Sequence, residues 1–147
     1  MKVSCLANLG SALPNQYLNP TIGYGNKAEF RLTIGREYVV YALALRASQI
    51  WYYISDDADL YYPGHHPAPL FEVIDNRISN HWRYEFTQEP GYLHTVGFFA
   101  FQEWISEPNF YDKLTDKQER EVSIFFKMKE LMDMEAKSNQ AGTEQIE

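Results

Sequence analysis

Tyr38-Val39-Val40-Tyr41-Ala42-Leu43-Ala44-Leu45-Arg46-Ala47-Ser48-Gln49-Ile50-Trp51-Tyr52-Tyr53-Ile54-Ser55 joins two runs of β-branched, aromatic and aliphatic residues through a short link. Residues 38–45 and 49–55 read as strands, because side chains of these types pack well on a pleated surface. Ala47 and Ser48 leave too little chain for anything but a hairpin. Upstream, Phe30, Leu32 and Ile34 alternate with Arg31 and Thr33, which predicts another strand that Gly35 ends. Downstream, Leu70, Phe71, Val73 and Ile74 form a short apolar run, and Asp75-Asn76 suits a turn. Residues 78–86 place Trp82, Tyr84 and Phe86 on one face, with Arg83 and Glu85 on the other. Pro90-Gly91 marks a turn, and residues 92–101 can close the sheet.

The two ends read differently. Gly10, Pro14, Pro20, Gly23 and Gly25 make residues 1–28 an irregular leader with at most a short strand near Val3. Residues 98–105 can extend the last strand or begin a helix. Ser106 before Pro108 suits a helix start, and Thr115 with Gln118 fits a capping box. From Asp116 to about Lys137, Val122, Phe125, Phe126, Met128, Leu131 and Met132 recur at helical spacing and predict a broad apolar face. Asp116 with Arg120, Lys117 with Glu121, Lys129 with Asp133 and Asp133 with Lys137 lie one turn apart and would support that helix. The expected architecture is α+β: a small curled antiparallel sheet of SH3-like pattern with C-terminal helices packed on it. Residues 1–137 form one domain, and residues 138–147 a polar tail.

Composition narrows the function. The chain has 147 residues, enough for one cored domain, and a formal net charge of −7. Phosphate backbones repel such a surface, and no basic patch offsets it, so nucleic acid is not an expected partner. A basic protein is, because charge complementarity speeds the encounter. The single cysteine, Cys5, excludes an internal disulfide and suits a reducing cytoplasm. No apolar run approaches the ~20 residues that span a bilayer.

The segment after the hairpin carries the candidate site. Asp56, Asp57 and Asp59 are followed by Tyr61 and Tyr62, then by a loop with Pro63, Gly64, His65, His66, Pro67 and Pro69. No Lys or Arg occurs between Arg46 and Arg77. Carboxylates beside Tyr can engage a partner's Arg and Lys, and Tyr adds contact area at low entropic cost. Asp56, Asp57, Asp59, Tyr61, Tyr62 and Glu72 are the expected contact set. The plainer reading makes the Asp residues turn formers and the Tyr residues part of the core edge.

Catalytic and metal chemistry find less footing. His65, His66, His81 and His94 lack ligand spacing, since adjacent His65 and His66 point apart on an extended chain. The acidic run lacks the Gly and distal Glu of a calcium loop. His81 with Asp75, or His94 with Glu103, could form a base and its orienter, but no Ser sits in a nucleophile-elbow context. No metal, cofactor or catalytic residue is therefore expected.

The runs Tyr38-Val39-Val40-Tyr41, Trp51-Tyr52, Asp56-Asp57, Pro67-Ala68-Pro69-Leu70-Phe71-Glu72-Val73-Ile74-Asp75 and Arg77-Ile78-Ser79-Asn80-His81-Trp82 are similar to those of small bacterial proteins. The general type resembles immunity proteins that neutralise secreted toxins. The resemblance implies a cytoplasmic protein that binds one cognate toxin, and the acidic balance fits a basic, nuclease-like one. Three other functions compete with it. One is a small hydrolase using His81 or His94. Another is an adaptor, or a homodimer formed through the C-terminal helix. The last is an SH3-like peptide-binding module with Trp51 or Trp82 exposed beside an aromatic groove.

Overall fold

The computed structural model describes residues 1–19, 24–87 and 95–146, with side chains as far as 138. Among the described residues, eight strands divide between two antiparallel sheets, where the sequence suggests a single curled one. The first has the order β2-β1-β6, with β1 at Lys2–Cys5, β2 at Glu37–Val39 and β6 at Phe71–Asp75. The second has the order β5-β4-β3-β8-β7. Its strands are β3 (Ala42–Arg46), β4 (Gln49–Ile54), β5 (Gly64–Pro67), β7 (Trp82–Phe86) and β8 (Thr95–Phe101).

The run 38–45 is therefore two strands. The break falls between adjacent amides: Val40 N–H donates to Met1 O at 3.1 Å in the first sheet, and Tyr41 N–H donates to Tyr53 O at 2.8 Å in the second. The expected β3–β4 hairpin is present, with Ala47 at the link in a left-handed conformation, φ 50°.

Parity within the hairpin runs against simple hydrophobicity. Ala42, Ala44 and Arg46 are buried, whereas Leu43 and Leu45 are half-buried. Volume explains the choice. Ala42 faces Tyr53, and Ala44 faces Trp51 on one side and Phe98 on the other, so small side chains leave room for large rings. Trp104 and Tyr111 pack over the same face. Trp104 meets Tyr53 edge-on at 5.0 Å, and Tyr111 stacks on Trp104 at 5.3 Å. These rings come from α1 (Gln102–Ser106), which follows β8 without a link, and α2 (Phe110–Thr115).

The leader is tied down. β1 is the central strand of its sheet, and Val3 and Cys5 are buried. Short 3-10 turns at Gly10–Ala12 and Asn15–Tyr17 bring Tyr17 onto Trp51, and the Tyr17 hydroxyl accepts from Ile50 N–H at 2.9 Å. Gly10 is required here: a Cβ would lie 2.0 Å from Gly25 O. Residues 30–34 form no strand. Phe30 N–H donates to Asn8 O, Leu32 N–H turns back to Phe30 O, and Ile34 is exposed. The proline-rich loop is partly a strand as well, since β5 pairs with β4 at the sheet edge, where proline is tolerated. At the end of β6, the Asp75 carboxylate accepts from Arg77 N–H at 3.1 Å and makes the expected turn. The Pro90-Gly91 turn lies outside the described residues.

α3 (Glu119–Ile146) outruns the predicted helix and includes part of the expected tail. Phe125, Met132 and Ala136 are buried apolar residues of this helix, Val122 and Met128 pack against the core beside them, and of the predicted face Phe126 is exposed, at 49%. The helix docks on the corner between the sheets. Phe125 packs edge-on against Tyr41 at 5.7 Å, and the Tyr41 hydroxyl donates to Asp133 at 2.6 Å. The capping box does not form, because the Thr115 hydroxyl donates to Asp112 O. Lys129 and Asp133 meet at 2.9 Å as expected, whereas Arg120 turns to Glu107 and Glu121, and Lys117 lies over the Tyr61 ring.

Candidate functional site

The acidic segment is built as a fastened turn. Asp57 N–H donates to Arg31 O at 2.9 Å, and Asp59 N–H donates to Asp56 O at 3.0 Å. The Asp56 carboxylate accepts from Ala58 N–H at 2.9 Å and lies 3.1 Å from His66 Nε2. The Asp57 carboxylate accepts from Thr33 Oγ1 at 2.6 Å, Arg36 Nη1 at 2.7 Å and the Tyr38 hydroxyl at 2.7 Å. Burial disfavours ionising either group, and these donors outweigh it, so both carboxyls titrate below their ordinary range. Asp57 thus has one cationic and two hydroxyl partners within the chain, and Asp56 has a backbone amide and an imidazole. That makes the segment less negative toward a partner than its composition suggests, and it is the main correction to the sequence reading. The basic residues missing from positions 47–76 arrive from 31–36.

Asp59 and Leu60 stand exposed at the tip, with Asp59 in a left-handed conformation, φ 49°. Tyr61 and Tyr62 are half-buried. The Tyr61 hydroxyl donates to Thr115 O at 2.5 Å, and Tyr62 meets Tyr61 and Tyr111 edge-on. Glu72 is not in this turn. It is exposed on β6, in register with Ser4, which is itself in register with Glu37. That row lies on the sheet whose β2 supplies Tyr38 to Asp57.

The other sequence candidates separate. Trp51 and Trp82 are both buried, so neither flanks an open peptide groove. Asp75, the suggested orienter of His81, is held by Arg77 Nε at 3.0 Å. His94 lies outside the described residues. Among the described residues, no group of three or more His, Cys, Asp or Glu is placed to hold a metal ion. Cys5 is buried, and burial pushes its thiol up, which disfavours the nucleophilic thiolate. Among the described residues, no helix is long and apolar enough to cross a membrane.

Comparison with protein-family models, curated proteins and solved structures finds no match. The site must be read from its own geometry.

One cluster was missed by the sequence reading. Arg46 is only 3% exposed, at the end of β3. Its Nη1 lies 2.8 Å from His65 Nδ1, its Nη2 donates to the Tyr53 hydroxyl at 3.0 Å, and its Nε donates to Thr95 Oγ1 at 3.3 Å. The guanidinium also lies over the Trp51 ring, 5.2 Å from its centroid. Arginine only donates, so Nδ1 of His65 is the acceptor and carries no proton. The proton is then on Nε2, 3.2 Å from the Tyr24 hydroxyl. Burial, with Arg46 and His66 adding to it, pushes the His65 pKa down to about 3.

Two clefts flank this cluster. One, of about 450 Å³, runs past Tyr24, Asp56, Tyr62, His65 and His66. The other, of about 540 Å³, opens between β7–β8 and the α1–α2 corner, with Arg46 in its wall. Strand parity could have revealed Arg46. It lies two and four positions from Ala44 and Ala42, the residues that face the large rings.

Proposed function

We propose that this chain is an immunity-type inhibitor: it binds a basic, nuclease-like protein toxin in the bacterial cytoplasm and occludes it. The observation that carries the reading is the fastened turn at 56–59. Internal hydrogen bonds already fix its backbone, so binding costs little ordering entropy. Asp56 and Asp57 act as the frame of the contact set. Asp59 supplies the exposed charge, with Leu60 beside it, Tyr61 and Tyr62 supply flanking ring surface, and Glu72 extends the acidic surface across the neighbouring sheet. The net charge of −7 steers a cationic partner toward all of these.

Titration of a purified cognate nuclease toxin with this chain tests the proposal. Nuclease activity should vanish at one equivalent of this chain. Activity that persists at excess would sink it. A second reading, homodimerisation through α3, is favoured by Phe126 and Met134, which are exposed two turns apart on one side of that helix. Sedimentation at micromolar concentration separates the two: a tight dimer that Phe126→Glu disrupts supports the second.

A further inference from the structure

We propose that the cleft between β7–β8 and the α1–α2 corner binds a small zwitterionic aromatic compound of the amino-acid type, its carboxylate on Arg46. This goes beyond the inhibitor reading and does not depend on it.

The first support is charge. A guanidinium buried this deeply costs several kcal/mol to desolvate unless an anion compensates it. Among the described residues, no carboxylate lies within ion-pair distance of Arg46. Its hydrogen-bond partners are a neutral imidazole and two hydroxyls, which together occupy three of its five N–H groups. A ligand carboxylate would supply the missing charge and accept from the remaining N–H groups.

The second support is shape and lining. About 540 Å³ is the size of an ordinary small-molecule site. Tyr53, Phe98, Trp104 and Tyr111 line it with aromatic surface suited to a ring. The third is the opposing charge. Glu85 and Asp112 are exposed carboxylates in the same lining, whereas Glu107 is already taken by Arg120. A bare aromatic carboxylate would be repelled by Glu85 and Asp112. A ligand that also bears an ammonium would not.

Calorimetry with L-phenylalanine as the probe, and 3-phenylpropionate and phenethylamine as controls, tests this. Saturable binding of L-phenylalanine is expected, with perturbation of the Trp104 indole N–H resonance. Phenethylamine, lacking the carboxylate, should bind at least about tenfold more weakly. Arg46→Gln should abolish binding. Because that change is in the core, the surface variants Glu85→Gln and Asp112→Asn give a second reading in folded protein. Each should weaken L-phenylalanine severalfold at low salt while leaving 3-phenylpropionate unweakened. Absence of saturable binding, equal binding of phenethylamine, or indifference to both surface variants would overturn the proposal.

Discussion

Arg46 Nη1 and His65 Nδ1 lie 2.8 Å apart beneath a roof of aromatic rings, and that contact fixes His65 as a neutral acceptor. Two residues from different strands, each polar, together occupy the place where the fold would otherwise put a hydrophobic side chain.

The pair makes stability sensitive to mild acid. The folded-state pKa of His65 is depressed to about 3, whereas in the unfolded chain it titrates near its ordinary 6.5. Below pH 6.5 the unfolded chain takes up a proton that the folded chain refuses, so stability falls as pH drops toward 3. Roughly 2–3 kcal/mol should be lost between pH 6.5 and 4. Asp56 and Asp57 are depressed as well, but their contribution is lost only below the ordinary carboxylate range. Urea melts across this interval should show the loss in the wild type and a flatter profile in His65→Gln.

Asp57→Ala removes an acceptor shared by Thr33, Arg36 and Tyr38, and should cost about 1–2 kcal/mol. Arg36→Ala removes an exposed ion-pair partner and a cation that lies over the Tyr38 ring, 5.3 Å from its centroid, and should cost less than about 1 kcal/mol. Amide exchange at residues 57–59 should quicken far more in the first variant than in the second.

Adjacent positions on α3 should behave oppositely. Phe125→Ala leaves a hole against Tyr41 and should destabilise by about 3–5 kcal/mol. Phe126→Ala should fall within about 0.5 kcal/mol of the wild type in a monomer. Chemical denaturation of both variants checks this.

Gly10→Ala drives a methyl group into the Gly25 carbonyl, a backbone atom that cannot swing away. A loss of about 1–3 kcal/mol is expected, with a matching drop in Tm. Gly64→Ala meets only the His66 ring at 3.5 Å and should be tolerated.

These contrasts show what the sequence reveals and what it hides. The β3–β4 hairpin is legible because two strand-forming runs flank a two-residue link. Its parity is not, since Leu43 and Leu45 outbid Ala42 and Ala44 on hydrophobicity, and only the volume of Trp51 and Tyr53 across the ladder reverses the choice. Residues 30–34 alternate like a strand, yet Asn8 and Phe30 itself take up the amides of Phe30 and Leu32. At the site, the Asp56-Asp57 turn is legible from local chemistry. Its partners Thr33, Arg36 and Tyr38 lie about twenty residues away, and nothing local announces them.

Affinity of Asp59→Lys for a cognate basic toxin, the partner this account requires, tests the inhibitor account most directly. Asp59 is exposed, and its backbone is held by Asp56 rather than by its own carboxylate. The account predicts at least about a tenfold loss of affinity at low salt, shrinking as ionic strength rises. Unchanged affinity with unchanged salt dependence would contradict it.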